Sequence, residues 1–356
     1  MKITKEMGVI LPDTTITAGE PIFLDVTKKP FELYGFAKNF RRLPDDVAEA
    51  TSVDVERISR YSPGCRLRFK TNSDYIVVHA ELGIHENIPT MTTIATTCFD
   101  VYFYDKGNYV FKGSFWNSQG EGKSYVEGRI RFENFDEKDV VIDFPIVSEI
   151  KEMYVALREG CEIDSPSKYK LPKPIVVYGS SIVQGIGAGR PGTLYSAELS
   201  RRFDADVINL GFGGSAKAEK PIMEYMAGLD MCAFVYDYDH NAPTPEYLKE
   251  THYNGYKIIR EKNPDLPIIM ASKPDYHFAN VETNEKRRRI IIETFERAKA
   301  EGDGNVWFVD GSKMYPEELR EACSADGCHP NDVGFLFMAN AFTAALKEAL
   351  TKHGII

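Results

Sequence analysis

From about Ile16 to about Asp164 the chain alternates hydrophobic and polar residues with a period of two. Arg66-Leu67-Arg68-Phe69-Lys70 and Asp100-Val101-Tyr102-Phe103-Tyr104 follow this rule, and Ser52-Val53-Asp54-Val55-Glu56-Arg57-Ile58 reads the same way. Period-two alternation predicts strands buried on one face. Turn-rich pieces such as Tyr61-Ser62-Pro63-Gly64 and Asp105-Lys106-Gly107-Asn108 separate them. Many short strands at close spacing predict two packed antiparallel sheets, an all-β sandwich of jelly-roll-like type.

The pattern changes after the polar, proline-rich stretch Asp164-Ser165-Pro166-Ser167-Lys168-Tyr169-Lys170-Leu171-Pro172-Lys173-Pro174. That stretch marks a boundary, with a first domain over 1–165, a linker over 166–174 and a second domain over 175–356. The second domain carries short continuous apolar runs: Ile175–Tyr178, Val207–Leu210, Cys232–Tyr236, Ile268–Ala271 and Val306–Val309. They read as strands buried on both faces. Helical stretches at Pro243–Lys262, Asn284–Glu301 and Asp332–Thr351 lie between or after them. Strand and helix in alternation predict an α/β fold, a parallel sheet with helices on both sides, three layers in all. Ligands of such sheets bind beyond the carboxyl ends of the strands, so the residues that follow each run are the ones to read for chemistry.

A net charge of −10, spread along the chain, argues against a phosphate backbone as partner, so no nucleic acid is expected. No run of about 18 apolar residues predicts a membrane span, and Met1-Lys2-Ile3-Thr4-Lys5-Glu6 is not followed by the apolar core of a leader. A cytoplasmic protein with no membrane partner is the expectation. The six cysteines form no C-x-x-C pair, so free thiols are expected and no metal site, although Cys323 and Cys328 flank Asp326.

Gly179-Ser180-Ser181-Ile182-Val183-Gln184-Gly185 follows the first run and puts serines at the sheet edge, where an exposed hydroxyl can act as a nucleophile. By itself this is ordinary turn chemistry. Asp326-Gly327-Cys328-His329 adds weight, because an Asp three residues before a His can accept the Nδ1 hydrogen and leave Nε2 facing a serine. After the second run, Asn209-Leu210-Gly211-Phe212-Gly213-Gly214-Ser215 offers a backbone amide at Gly214 that could join the Ser181 amide around an oxyanion. After the third, Asp237-Tyr238-Asp239-His240-Asn241 offers the Asn241 side chain as a third donor.

These four blocks, in this order, resemble the SGNH (GDSL-like) hydrolase superfamily. Its G-D-S-x-x-x-G block matches Gly179–Gly185 with Ser180 in place of the aspartate, its glycine falls on Gly214, its asparagine on Asn241, and its D-x-x-H on Asp326 and His329. Arg190-Pro191-Gly192 and the β-rich half in front are similar to a bacterial group with an N-terminal β-sandwich, whose architecture carbohydrate esterases share. The resemblance implies a serine esterase with Ser181 as nucleophile, His329 as base and Asp326 as its orienter. It also implies an oxyanion hole of Ser181, Gly214 and Asn241, and no metal or organic cofactor. A small acyl ester, on a small molecule or a glycan, is the expected substrate. Asp239-His240 departs from the family pattern before the asparagine, which leaves the position of Asn241 open and makes His240 a rival base.

Arg190 either binds a substrate group through its planar fork or tethers its own loop. Asp237, Asp239 and Asp275 are the residues of a competing glycosidase or divalent-metal reading. Tyr102, Tyr104, Tyr109, Phe111, Phe115 and Trp116 are those of a glycan-binding reading, against cross-strand packing. Transfer of the acyl group to a sugar or thiol, and action on lipid esters or thioesters, stay open. So does the oligomeric state.

Overall fold

The computed structural model describes residues 1–115 and 125–356. The strands of the first half are β1 (Pro21–Asp25), β2 (Glu32–Tyr34), β3 (Arg66–Thr71), β4 (Tyr75–His85) and β5 (Phe99–Asp105), followed by β6 (Asn108–Phe115), β7 (Tyr125–Arg131), β8 (Lys138–Asp143), β9 (Ser148–Arg158) and β10 (Ile163–Asp164). One antiparallel sheet has the order β1-β9-β4-β7, and the other runs β10-β3-β8-β5-β6 with β2 beside β3. Leu67, Phe69, Ile76, Val78, Phe99, Val101, Val140, Ile142 and Val155 fill the space between them. Lys106 and Gly107 both take positive φ (47° and 93°), the backbone that lets a two-residue turn follow the twist of β5 and β6.

Among the described residues, three α-helices interrupt this half: α1 (Asp45–Thr51), α2 (Val53–Ser59) and α3 (Thr93–Thr97). Helix α2 corrects the strand expected over Ser52–Ile58. The Ser52 hydroxyl caps the Val55 amide at 3.2 Å, and Val55, Ile58 and Ser59 are buried on one helical face. Val53, which strand alternation would bury beside Val55, is 86% exposed.

The second half follows its pattern closely, with β11 (Leu171–Gly179), β12 (Ala205–Gly211), β13 (Ala233–Asp237), β14 (Ile268–Ala271) and β15 (Val306–Val309) forming one parallel sheet in the order β12-β11-β13-β14-β15. Its helices are α4 (Ser181–Gln184), α5 (Tyr195–Phe203), α6 (Lys220–Ala227), α7 (Pro245–Lys262), α8 (Val281–Ala300) and α9 (Asp332–Lys352). Helix α9 is long and apolar enough to cross a membrane by length and composition alone, and here it presents Phe335, Met338, Phe342, Leu346 and Leu350 to the core. The chain leaves β11 toward β12 on one side and returns to β13 on the other. The ends of these three strands therefore flank one crevice, the topological switch point of the sheet.

The two halves share more than a linker. Leu43, Ala48, Val55, Ile58 and Tyr61, from the segment around α1 and α2, belong to the same buried apolar cluster as β11, β12 and β13. Arg42 is buried beside them and donates to Tyr61 O (2.8 Å), Ile58 O (2.9 Å), Asn209 O (2.9 Å) and Gly211 O (3.0 Å). The outward side chains of β3 are buried because the linker and the second half cover them: Arg66 pairs with Asp206 and donates to Val207 O, and Arg68 lies 4.0 Å from the ring centre of Tyr169 in the linker.

Candidate active site

Ser181 opens the short helix α4 directly after β11. Gly179 ends that strand where a Cβ would lie 2.1 Å from Asp237 O, so only glycine fits between β11 and β13. Ser180, the residue that replaces the family's aspartate, is the N-cap: its hydroxyl accepts the Ile182 amide at 3.2 Å. Serine and aspartate both serve at such a position, which explains why the departure is tolerated. Gly185 closes the turn at φ 107°.

His329 sits in the loop before α9, with Nε2 3.0 Å from Ser181 Oγ and Nδ1 2.7 Å from Asp326 Oδ2. The second carboxylate oxygen of Asp326 accepts the backbone amides of His329 (2.7 Å) and Cys328 (2.9 Å). Partial burial opposes ionisation of Asp326, but the ring and these two amides hold its carboxyl below the usual value. Ser324 fixes the loop by donating to His329 O and accepting the Gly327 amide. Gly187, against Pro330 O and the His329 Cβ, leaves no space for a side chain of its own.

The loop after β12 bends back over α4, with the Gly213 amide donating to Gln184 Oε1 at 2.8 Å. Gly214 takes φ 72°. Asn241 comes to the same place: with its amide oriented to satisfy both ends, Oδ1 accepts the Gly214 amide at 2.9 Å and Nδ2 donates to Phe212 O at 3.3 Å. Ser181, His329 and Asp326 thus form one hydrogen-bonded chain, and Gly214 and Asn241 are in contact with each other.

Arg190 points elsewhere. Its Nη1 donates to Asp100 Oδ2 (2.7 Å) and Tyr102 Oη (2.6 Å) of β5, and its guanidinium lies 4.0 Å from the Phe111 ring centre. Asp100 also accepts the Gly192 amide. These contacts are those of a tether from the loop to the sandwich. Asp332, which the sequence reading passed over, anchors the same loop by accepting the Gly189 amide and the Thr193 hydroxyl.

The three aspartates of the competing reading each have internal partners. Asp237 accepts from Tyr195 Oη at 2.9 Å, and burial pushes its carboxyl up to about 7. Asp239 faces Arg287 and the Lys273 amide, and Asp275 faces Lys273 Nζ and His240. Of the aromatic residues, Tyr102 and Phe115 are buried, Tyr109 bonds Asp204, Tyr104 packs edge-on to Tyr109, and Phe111 lies beneath Arg190. Trp116 lies outside the described residues.

Comparison with known proteins bears on both halves. The profile of the GDSL-like Lipase/Acylhydrolase family matches residues 172–347, and that of the N-terminus of SGNH-hydrolase-type esterases matches residues 22–163. By sequence, no curated protein matches. Among solved structures, a protein described as a GDSL-like lipase from Bacteroides ovatus is 27% identical, with a TM-score of 0.83 over 93% of this chain and 98% of its own. The salicylyl-acyltransferase SsfX3 from a tetracycline biosynthetic pathway is 19% identical, with a TM-score of 0.76 over 92% and 97%. A family two carbohydrate esterase from Clostridium thermocellum is 14% identical, with a TM-score of 0.58 over 83% and 94%. The last two show the fold alone. With one profile matched in each half and 93% of the chain aligned with the Bacteroides structure, the chain belongs to the SGNH, or GDSL-like, hydrolases, in the group with an N-terminal β-rich domain.

Proposed function

We propose that this SGNH hydrolase is a serine esterase acting on a small acyl ester, acetyl foremost, carried by a carbohydrate or a comparable hydroxyl-rich molecule. The observation that carries the reading is the unbroken chain from Ser181 Oγ through both ring nitrogens of His329 to Asp326. Ser181 Oγ attacks the ester carbonyl while His329 Nε2 takes its proton, and Asp326 holds the Nδ1 hydrogen and stabilises the charged ring. The tetrahedral oxyanion is held by the amides of Ser181 and Gly214. For Asn241 to join as a third donor its amide must turn from the resting orientation, in which Oδ1 accepts from Gly214. Each such donor typically contributes about 3 kcal/mol to the transition state. His329 then protonates the departing alcohol, and a water activated by the same ring releases the acid.

The acyl and the acceptor are inferred from relatives. An acetyl xylan esterase from Butyrivibrio proteoclasticus aligns with 94% of this chain at 11% identity and a TM-score of 0.59. A second reading keeps the triad and passes the acyl group to a hydroxyl acceptor instead of water; the whole-length likeness to the salicylyl-acyltransferase favours it. Hydrolysis of p-nitrophenyl esters from acetate to decanoate, by wild type and Ser181→Ala side by side, tests the first. Turnover that depends on Ser181 and falls with chain length is expected. Undiminished turnover by purified Ser181→Ala removes the triad mechanism, and acyl transfer to added sugar in preference to water selects the second reading.

A further inference from the structure

Beside the triad loop, three side chains from three separate segments converge without a role in the reaction above. His240 follows β13, Asp275 follows β14, and Cys328 directly precedes His329. A ring nitrogen of His240, a carboxylate oxygen of Asp275 and the Cys328 Sγ all lie within 4.8 Å of one another. Asp275 is 6% exposed, yet its Oδ1 has no hydrogen-bond partner, and neither has His240 Nε2. These two atoms are 2.9 Å apart but out of line for a hydrogen bond. Two buried polar atoms without a hydrogen-bond partner, 2.9 Å apart and with a thiol within 4.8 Å, are spaced closely enough to ligate one ion. The other oxygen of Asp275 is occupied by Lys273 Nζ at 3.2 Å, which leaves Oδ1 as a single-oxygen ligand and settles the carboxylate's orientation.

We propose that His240, Asp275 and Cys328 form a binding site for a divalent zinc-like cation, separate from the triad and regulatory in effect. One imidazole nitrogen, one carboxylate oxygen and one thiolate match the borderline-soft preference of Zn2+ and Co2+ over Mg2+ or Ca2+. Three protein ligands leave a fourth position for water or for an oxygen of a molecule in the crevice. Binding releases the Cys328 proton to solvent, and the positive Lys273 nearby keeps the affinity below that of a structural zinc site. Cys328 also gives its backbone amide to Asp326, so an ion that fixes this residue fixes the loop that aims His329. Ligation that draws Cys328 toward the ion pulls on this amide bond and re-aims His329, so the bound ion is expected to slow ester turnover; that second half of the proposal rests on the esterase reading.

The test uses the full-length protein stripped with a chelator and titrated with CoCl2. A saturable 1:1 thiolate-to-cobalt charge-transfer band is expected, with Zn2+ displacing it. Cys328→Ser removes the band. His240→Ala weakens Zn2+ binding more than about 100-fold, beyond what loss of an outer-shell partner costs. Thermal melting checks that both variants fold. Methylthiolation of Cys328 in folded wild type, where the other five cysteines are buried, gives the same loss without a substitution. Absence of 1:1 binding in wild type, or binding undiminished by these changes, overturns the site. Zn2+ inhibition of p-nitrophenyl ester hydrolysis, relieved by chelation and absent in Cys328→Ser, supports the regulatory half; binding with indifferent turnover overturns that half alone. The binding readout needs no turnover, so failure of the esterase reading would leave it untouched.

Discussion

Two of the protein's histidine-carboxylate pairs, one in each half, differ in what surrounds them. In the sandwich, His79 Nδ1 lies 3.0 Å from Glu127, whose oxygens also accept the Thr14 hydroxyl and the amide and hydroxyl of Thr15. The ring is stacked on Tyr125 at 4.6 Å and meets Phe23 edge-on. At the sheet edge, His329 makes the same bond to Asp326, but its far nitrogen faces Ser181, and both side chains keep a quarter to a third of their surface in solvent. A histidine-carboxylate bond is thus equally good as a staple and as a catalytic base. The serine on the other nitrogen and the open approach make the difference.

The largest effect expected is on the open pair: His329→Ala lowers kcat/KM for p-nitrophenyl acetate by about 10^4-fold or more, with the melting temperature little changed. A loss under tenfold would put the base elsewhere. Asp326→Asn comes next and is expected to leave measurable turnover, about 10^2- to 10^4-fold down, because the backbone of the loop still presents the ring. If it matched His329→Ala, orientation by the loop would count for nothing.

On the closed pair the readout is stability. Partial burial opposes ionisation of Glu127, but His79, Thr14 and Thr15 lower its carboxyl to about 2 from an ordinary 4.5. Between those values the unfolded chain binds the proton that the folded one refuses. The contribution is therefore complete above about 4.5 and is lost as the pH falls toward 2. Glu127→Gln is expected to cost about 2 kcal/mol at pH 7 by urea unfolding, and less at pH 3, with ester turnover retained. An equal cost at both values would assign it to packing.

Arg190→Ala gives the smallest effect, about 1 to 2 kcal/mol of stability from the buried Asp100 it leaves behind, with a modest change in kcat/KM. A selective rise in KM without destabilisation would restore the substrate-binding alternative.

Much of the site was legible because its parts are local. Asp326 and His329 are three residues apart in one loop, and Ser181, Gly214 and Asn241 each follow an apolar run that ends at the same sheet edge. That these three edges adjoin was not written in any one of them; it follows from β11 lying between β12 and β13. The convergence of His240, Asp275 and Cys328 was invisible for the same reason, since each residue is a different segment's contribution. The Ser52–Ile58 segment misled because valines two apart also fit a helix once a serine caps it, and periodicity over seven residues does not separate the two.

The apolar segment around α1 and α2, which precedes the β11 sheet by more than a hundred positions and yet completes its core, sets how this molecule assembles. A fragment that begins at Leu171 would meet water where Leu43, Val55 and Ile58 belong, and would lack the Arg42 guanidinium that ties Asn209 and Gly211. The long loop must close before either half is finished. Two architectures joined in one chain are therefore expected to unfold as one cooperative unit.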